Sequence, residues 1–195
     1  MKKINIKNFT ISNNNPFCLI AGPCVIENKN HAKKIAKSIK EICEDLEINF
    51  IFKSSFDKAN RSSFKSSRGV GLDESLEIFQ EIKNLYKCPI LTDVHNEQQC
   101  KIISDNDIID IIQIPAFLSR QTDLLIAAGN TKKIINVKKG QFSSPYDMSN
   151  IIDKIISTKN ENIMLTERGV SFGYNNLVSD FRSIEIMKKF KYPVI

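Results

Sequence analysis

The fold is decided by the stretch at residues 49–63, which reads NFIFKSSFDKANRSS. Its first five residues, Asn49–Lys53, are mainly apolar at consecutive positions, as in a strand that helices cover on both faces. A long polar connection follows and runs to Gly69 and Gly71, where a sharp return of the chain is expected. Leu72 through Leu85 then places apolar residues at helical spacing. The stretch therefore predicts one strand, one loop and one helix of a parallel α/β sheet.

The same unit recurs along the chain. Short apolar runs predict six buried strands: Phe17–Ala21, Asn49–Lys53, Pro89–Thr92, Ile108–Ile114, Lys133–Val137 and Ile163–Thr166. Helical patterns lie between them, and the first runs from Asn30 through Leu46. Asp73 is the expected N-cap of the helix after residue 71, and Asp147 or Ser149 is expected to open a later helix.

Six strand–helix units are more than a small open sheet needs. Pro193–Ile195 is expected to open a seventh strand. The pattern therefore predicts either an open α/β sheet or a TIM (β/α)8 barrel that stops after about six units. Residues 1–16 are expected to form an N-terminal cap or hairpin outside this sheet, because Ile4–Ile11 has strand character and 13–16 is a turn. The barrel domain is expected at residues 17–195.

Composition excludes several classes of protein. The 195 residues are 42% hydrophobic and 26% charged, an ordinary globular balance that excludes disorder and coiled coils. No apolar run approaches the ~20 residues that span a bilayer, and the first residues lack a cleavable signal, so a cytoplasmic protein is expected. The net charge of +6 comes from scattered cations, which argues against a nucleic-acid surface. The five cysteines lack CxxC spacing, and four are expected to be buried thiols.

Polar residues stand at the carboxyl end of each predicted strand, where parallel α/β folds build their sites. The charge there is positive: Lys53, Lys138 and Arg168 come from strand ends, and further cations, Lys58, Arg61 and Arg120, come from the loops that follow. Cations gathered at one mouth repel one another by about 1 to 4 kcal/mol per close pair. Phosphate or carboxylate groups would relieve that repulsion, which predicts an anionic ligand. The alternative is that these side chains are solvated surface residues.

Several motifs then make the chain recognisable. They closely resemble the 3-deoxy-D-manno-octulosonate 8-phosphate synthase family, and the KANRSS segment at 58–63 is the most specific of them. The motifs lie at residues 52–63, 92–95, 113–118, 120–123, 136–142, 168–169 and 172–177. The resemblance implies a TIM barrel that condenses phosphoenolpyruvate with D-arabinose 5-phosphate, on the route to the Kdo sugar of lipopolysaccharide. It also implies a homotetramer with active sites near the subunit interfaces.

The resemblance assigns roles to individual residues. It implies that phosphoenolpyruvate is bound by Lys53, Ser55, Lys58, Gln113, Lys138 and Arg168. It implies that arabinose 5-phosphate is bound by Asn60, Arg61, Ser62 and Asp93, with Arg120 reaching the sugar phosphate across an interface. Lys138, Asp93 and Asn60 are the expected catalytic residues, and Lys138 could also move a proton because neighbouring cations can lower a lysine pKa.

Cys24 follows the first predicted strand, and a metal-dependent branch of the family uses a cysteine at this position as a ligand. The resemblance implies a divalent ion such as Zn, Fe or Mn there, with the other ligands in a part of the barrel beyond residue 195. The equally open alternative is a buried thiol. His31 is expected to be solvated and His95 to line a pocket wall.

Two other functions remain open from the sequence. One is the related condensation of phosphoenolpyruvate with erythrose 4-phosphate, against which the KANRSS segment argues. The other is a catalytically silent remnant that still binds anions.

Overall fold

A computed structural model describes residues 1–195, which form a mixed α/β fold. Six parallel strands belong to one sheet and follow one another in chain order: β3 (Cys18–Ala21), β4 (Asn49–Lys53), β5 (Ile90–Asp93), β6 (Ile111–Ile114), β7 (Ile134–Lys138) and β8 (Ile163–Thr166). An open doubly wound sheet reverses its strand order at a switch point, whereas a (β/α)8 barrel keeps the chain order throughout. The strand order therefore favours the barrel type over the open sheet.

The chain divides into two compact units. The β3–β5 unit comprises Pro16–Asp93 and Asn106–Asp110, and the β6–β8 unit comprises Met1–Asn15, Val94–Asp105 and Ile111–Ile195. None of the helices combines the length and the apolar character that crossing a bilayer requires.

Two helices belong to the β3–β5 unit. α1 (Lys29–Asp45) begins after Asn28, whose side chain accepts a hydrogen bond from the His31 N–H. α2 (Leu72–Tyr86) begins after Gly71, so the expected N-cap at Asp73 is wrong. Gly71 has a φ of +87°, which glycine adopts without strain, and its carbonyl accepts the Ser75 N–H at 3.3 Å. Asp73 lies instead in the first turn of α2, where its charge complements the helix dipole.

The strand predicted at Ile108–Ile114 is shorter in the structure and begins at Ile111. The reason lies in Lys83 of α2, whose ammonium group donates to the carbonyls of Asp107 and Ile108 and pairs with the Asp110 carboxylate at 3.0 Å. These carbonyls are thereby engaged by a side chain, and residues 106–110 form a loop.

The β6–β8 unit carries the remaining helices: α3 (Glu97–Ser104), α4 (Thr122–Asn130), α5 (Met148–Ile156) and α6 (Arg182–Lys188). Asp147 directly precedes α5, as expected, and its carboxylate accepts the Ser144 N–H in a capping box. The same unit contains two short antiparallel hairpins: β1–β2 (Ile4–Ile6 and Phe9–Ile11) and β9–β10 (Val170–Ser171 and Leu177–Val178).

The expected seventh strand is present as a short parallel pairing beside β8. Val194 pairs with Leu165, and the Leu165 N–H donates to the Pro193 carbonyl at 2.9 Å. Asn13 holds this segment from the N-terminal side, because its side chain bonds to the Tyr192 carbonyl and to the Val194 N–H.

Candidate functional site

The β3–β5 unit contains a hydrogen-bonded cluster at the carboxyl end of β4. The hydroxyl of Ser55 accepts hydrogen bonds from the ammonium groups of Lys53 at 3.0 Å and Lys58 at 2.9 Å. The same hydroxyl donates to the Asp93 carboxylate at 2.6 Å. Since a serine hydroxyl has one proton and two lone pairs, these three bonds use its full capacity. Ser55 thus places two lysine ammonium groups on one oxygen atom.

Ser55 itself is held rigidly. It is fully buried, and its backbone pairs in parallel with Val25 and accepts the Ile26 N–H at 2.9 Å. Lys53 and Lys58 are only half-buried. Any two unit positive charges about 4 Å apart repel by about 1 to 4 kcal/mol. The Asp93 carboxylate, 3.6 Å from the Lys53 ammonium group, offsets part of the repulsion between the two lysines. The cluster therefore holds concentrated positive charge in a fixed geometry.

The polar loop after β4 closes back on its own start. The Lys58 N–H donates to the Arg68 carbonyl at 2.7 Å, and the Gly71 N–H donates to the Phe56 carbonyl at 3.1 Å. Gly69 adopts a φ of +117°, and an added Cβ there would lie 2.5 Å from the Phe56 oxygen. The two glycines of the loop therefore permit the return into α2 that the sequence predicts.

The KANRSS residues Asn60, Arg61 and Ser62 lie on this loop and are exposed. Arg61 makes local contacts: its N–H donates to the Lys58 carbonyl at 3.3 Å and its guanidinium donates to the Ser67 carbonyl at 3.2 Å. The structure thus brings Lys53, Ser55, Lys58 and Asp93 together, and leaves these three residues outside that cluster.

In the β6–β8 unit, a chain of polar side chains crosses the ends of three neighbouring strands. The Thr166 hydroxyl donates to Asn136 at 2.7 Å, and the Asn136 amide donates to the Gln113 side chain at 3.2 Å. Gln113 is a predicted site residue, whereas sequence reasoning missed Asn136 and Thr166 as its partners. The chain of bonds fixes the orientation of the buried Gln113 amide.

Lys138 ends β7 and Arg168 follows β8, and both side chains are half-buried. Their strands are neighbours, with Lys138 opposite Thr166 in the parallel register. Arg120, the remaining predicted cation, is exposed, and its carbonyl accepts a hydrogen bond from Lys154 at 3.0 Å.

Sequence reasoning also missed Lys139, whose side chain is fully buried. Its ammonium group donates to the carbonyls of Gly169 at 3.1 Å, Gly140 at 3.3 Å and Ser143 at 3.5 Å, and lies 3.7 Å from the Glu167 carboxylate. The adjacent lysine pair Lys138-Lys139 could have indicated that one of the two side chains is buried. Successive side chains at a strand end point to opposite faces, so two adjacent lysines there do not share one environment.

Cys24 is exposed and lies just after β3. No group of three or more His, Cys, Asp or Glu side chains that could hold a metal ion occurs in the chain. The residues present do not by themselves form a metal site. Cys24 as a metal ligand therefore remains a prediction.

The other cysteines are mostly buried, although Cys18 corrects the expectation of four buried thiols. Cys43, Cys88 and Cys100 are buried, whereas Cys18 is partly exposed. Burial raises the pKa of Cys100 to about 12 and also raises the pKa of Cys18. These thiols are therefore protonated at neutral pH.

A parallel sheet in chain order, with cations and amides at the carboxyl ends of its strands, places the chain among mixed α/β proteins with a half-barrel sheet. The chain belongs to the DAHP synthetase I family, whose sequence profile matches residues 2–195.

Curated relatives are similar over nearly the whole chain. A Bartonella henselae protein named 2-dehydro-3-deoxyphosphooctonate aldolase is 52% identical over 192 residues, which is 98% of this chain and 68% of the relative. Proteins of the same name from Bartonella tribocorum and Brucella ovis are 51% and 52% identical, and each is covered to 69%. That name is a synonym of 3-deoxy-D-manno-octulosonate 8-phosphate synthase, so the resemblance seen in the sequence motifs is confirmed.

Proposed function

We propose that this protein is a transferase that condenses phosphoenolpyruvate with D-arabinose 5-phosphate and water, giving 3-deoxy-D-manno-octulosonate 8-phosphate and phosphate. The observation that carries the proposal is the pair of ammonium groups of Lys53 and Lys58 on the buried Ser55 hydroxyl. The names of relatives that share about half of the residues support the choice of substrates.

The charge of the substrates fits this cluster. Phosphoenolpyruvate carries a phosphate and a carboxylate, and the sugar carries a second phosphate. Lysine ammonium groups that are already held in place lose little conformational entropy when the substrate binds. Their electrostatic attraction to the anions therefore contributes almost fully to the binding free energy. Removing one such charge-assisted contact costs about 1.5 to 3 kcal/mol.

The proposed roles follow the sequence motifs. Residues proposed to bind phosphoenolpyruvate are Lys53, Ser55, Lys58, Gln113, Lys138 and Arg168. Residues proposed to bind arabinose 5-phosphate are Asn60, Arg61, Ser62 and Asp93, together with Arg120. The exposure of the KANRSS loop supports its part in this division, because a loop residue must be accessible to meet a sugar phosphate.

The chemistry forms one carbon–carbon bond and releases phosphate. C3 of the enol attacks the sugar aldehyde, whose oxygen takes up a proton, and water adds at C2. The hemiketal phosphate then collapses as the bond between C2 and the phosphate oxygen breaks. Lys138, Asp93 and Asn60 are the proposed catalytic residues, and Lys138 is proposed to move a proton. An unchanged pH–rate profile in Lys138→Arg would remove that last role.

The barrel type, the oligomer and the compartment are part of the same proposal. The chain-order sheet supports a TIM barrel of the family type. Exposed apolar side chains near the β9–β10 hairpin support self-association into a homotetramer: Phe172 is 73% exposed, Tyr174 95% and Phe181 77%. Five free cysteines support a reducing compartment such as the cytoplasm. The molar mass of the purified protein, measured by light scattering, would test the tetramer. The mass of a monomer would reject it.

A metal ion is proposed only through Cys24, and no step above depends on it. Activity assayed after treatment with a chelator and after addition of Zn, Fe or Mn would test the metal, with Cys24→Asn as the matched variant. We expect the parent to lose activity on chelation and to regain it when metal is added. We expect Cys24→Asn to be active without added metal. Equal activity of the parent in chelator and metal would reject the metal.

Phosphate release from phosphoenolpyruvate tests the reaction. We expect release with arabinose 5-phosphate and none with erythrose 4-phosphate, which is the substrate of the alternative condensation. Saturable binding of phosphoenolpyruvate without release under any condition would favour the catalytically silent remnant instead.

A further inference from the structure

Lys139 is a buried cation to which neither the sequence motifs nor the proposed chemistry gives a task. It is fully buried, so it does not meet a ligand from solvent. A lysine is almost never fully buried unless it is paired, because removing its charge from water costs several kcal/mol. The oxygens around it therefore indicate what it does.

Those oxygens come from two loops of the β6–β8 unit. The carbonyls of Gly140 and Ser143 belong to the loop after β7, and the carbonyl of Gly169 and the carboxylate of Glu167 belong to the loop after β8. The Lys139 side chain thus connects the two loops at one point. Each loop begins beside a half-buried cation, Lys138 in the first and Arg168 in the second.

Glu167 extends the connection on both sides of Arg168. Its carboxylate accepts the Gly169 N–H at 2.6 Å and the Ser183 hydroxyl of α6 at 2.6 Å. Gly169 has a φ of +89°, so the chain makes a left-handed turn directly after Arg168. The amide of Gly169 is held by Glu167 and its carbonyl by Lys139, and the direction in which Arg168 leaves the backbone is therefore set.

We infer that Lys139 is a positioning residue that fixes the spacing of Lys138 and Arg168 by tying the loop after β7 to the loop after β8. This inference rests on the proposed function, in which both residues bind phosphoenolpyruvate. Backbone bonds between the same loops, from the Lys139 N–H to Thr166 and from the Ser171 N–H to Gln141, remain when the ammonium group is removed. Loss of the ammonium group should therefore loosen the two cations without abolishing the sheet.

The test compares Lys139→Met with the double variant Lys139→Met/Glu167→Met. The single variant leaves the Glu167 carboxylate without its cation, and we expect a lower melting temperature. The double variant removes both charges, and apolar replacement of a buried ion pair is often neutral for stability. We expect both variants to raise the KM for phosphoenolpyruvate by about 10- to 100-fold, because small misplacements of binding groups have effects of this size. The KM for the sugar phosphate should stay within about twofold.

A purely structural role gives a different result. In that case the double variant would recover the parent KM together with the parent melting temperature, which would overturn the inference. Lys188→Met is the matched control, since Lys188 is a half-buried lysine paired with the exposed Glu185 in the same unit. It should change neither KM. Glu167→Gln keeps a side chain that can bond to Ser183 and Gly169, and a smaller rise of the same KM is expected.

Failure of the proposed function is distinguishable from failure of this inference. If Lys138→Ala and Arg168→Ala leave phosphoenolpyruvate binding unchanged in calorimetry, the proposed function and the role of Lys139 are both rejected. If those two variants weaken binding while the folded double variant binds as the parent does, only the role of Lys139 is rejected.

Discussion

The strand ends of the two units use lysine in opposite ways. At the end of β4, Lys53 and Lys58 are half-buried and share a hydroxyl oxygen with each other. At the end of β7, Lys139 is fully buried among three carbonyls and a carboxylate. The surrounding oxygens decide the role of the cation. Where the protein supplies many of them, the lysine is enclosed by the fold, and where one hydroxyl aligns two half-buried lysines, their charge is proposed to meet a ligand.

The largest effect expected from this difference is on stability. Lys139→Met leaves the half-buried Glu167 without its cation, and breaking a buried pair costs about 3 to 5 kcal/mol, which is an upper bound here. Lys58→Met removes a half-buried cation and should cost less than about 1 kcal/mol. Chemical denaturation of both variants measures the difference. Equal losses of unfolding free energy would break the comparison.

A smaller effect is expected on activity when the shared hydroxyl is removed. Ser55→Ala should lower kcat/KM for phosphoenolpyruvate by about 10- to 100-fold, because the two ammonium groups lose their common acceptor. Ser54→Ala is the matched control: Ser54 is equally buried, but its hydroxyl donates to the Pro23 carbonyl at 2.9 Å. Initial rates at varied phosphoenolpyruvate decide the matter, and similar losses in both variants would contradict the role of Ser55.

Thiol labelling compares an exposed cysteine with a buried one, and the expected effect is smaller than those above. Cys24 is exposed and should react with iodoacetamide at pH 8, whereas the buried Cys100, with its pKa raised to about 12, should not. Mass spectrometry of tryptic peptides locates the label, and the protein unfolded in urea provides the fully labelled control. Rapid labelling of Cys100 in the folded protein would show that α3 opens readily.

The smallest effect is expected at a surface ion pair. Hydrogen bonds from Lys29 and Lys33 lower the pKa of the Glu81 carboxyl below its ordinary value. A lowered folded-state pKa stabilises the protein above the unfolded-state pKa, and this contribution is lost as the pH falls through the folded-state value. Glu81→Gln should therefore melt slightly below the parent at pH 7 and close to it under strongly acidic conditions. A difference in melting temperature that grows with acidity would have the wrong sign.

Much of the fold follows from local sequence. The strands predicted at 49–53 and 163–166 appear with those bounds, and the helix from Leu72 appears within one residue. The errors arose from tertiary contacts. The Lys83 ammonium group donates hydrogen bonds to carbonyls of the segment that was predicted as the start of a strand. Gly71, with a positive φ, precedes the helix that Asp73 was expected to cap.

The candidate site was predicted in part for a similar reason. The motif around KANRSS identifies Lys53, Ser55 and Lys58, because these residues are close in sequence. Asn136 and Thr166, which orient Gln113, come from strands far apart in the chain, and no local pattern connects them.

The sequence by itself determined the α/β class, the order of strands and helices, the excess of cations at strand ends and the family, since these depend on local periodicity and on motifs that are continuous in the chain. Only the tertiary structure decided which of two adjacent lysines is fully buried and which is half-buried. Lys138 and Lys139 are identical in type and adjacent in sequence, and they differ because the loops that surround Lys139 supply buried oxygens from residues up to about thirty positions away.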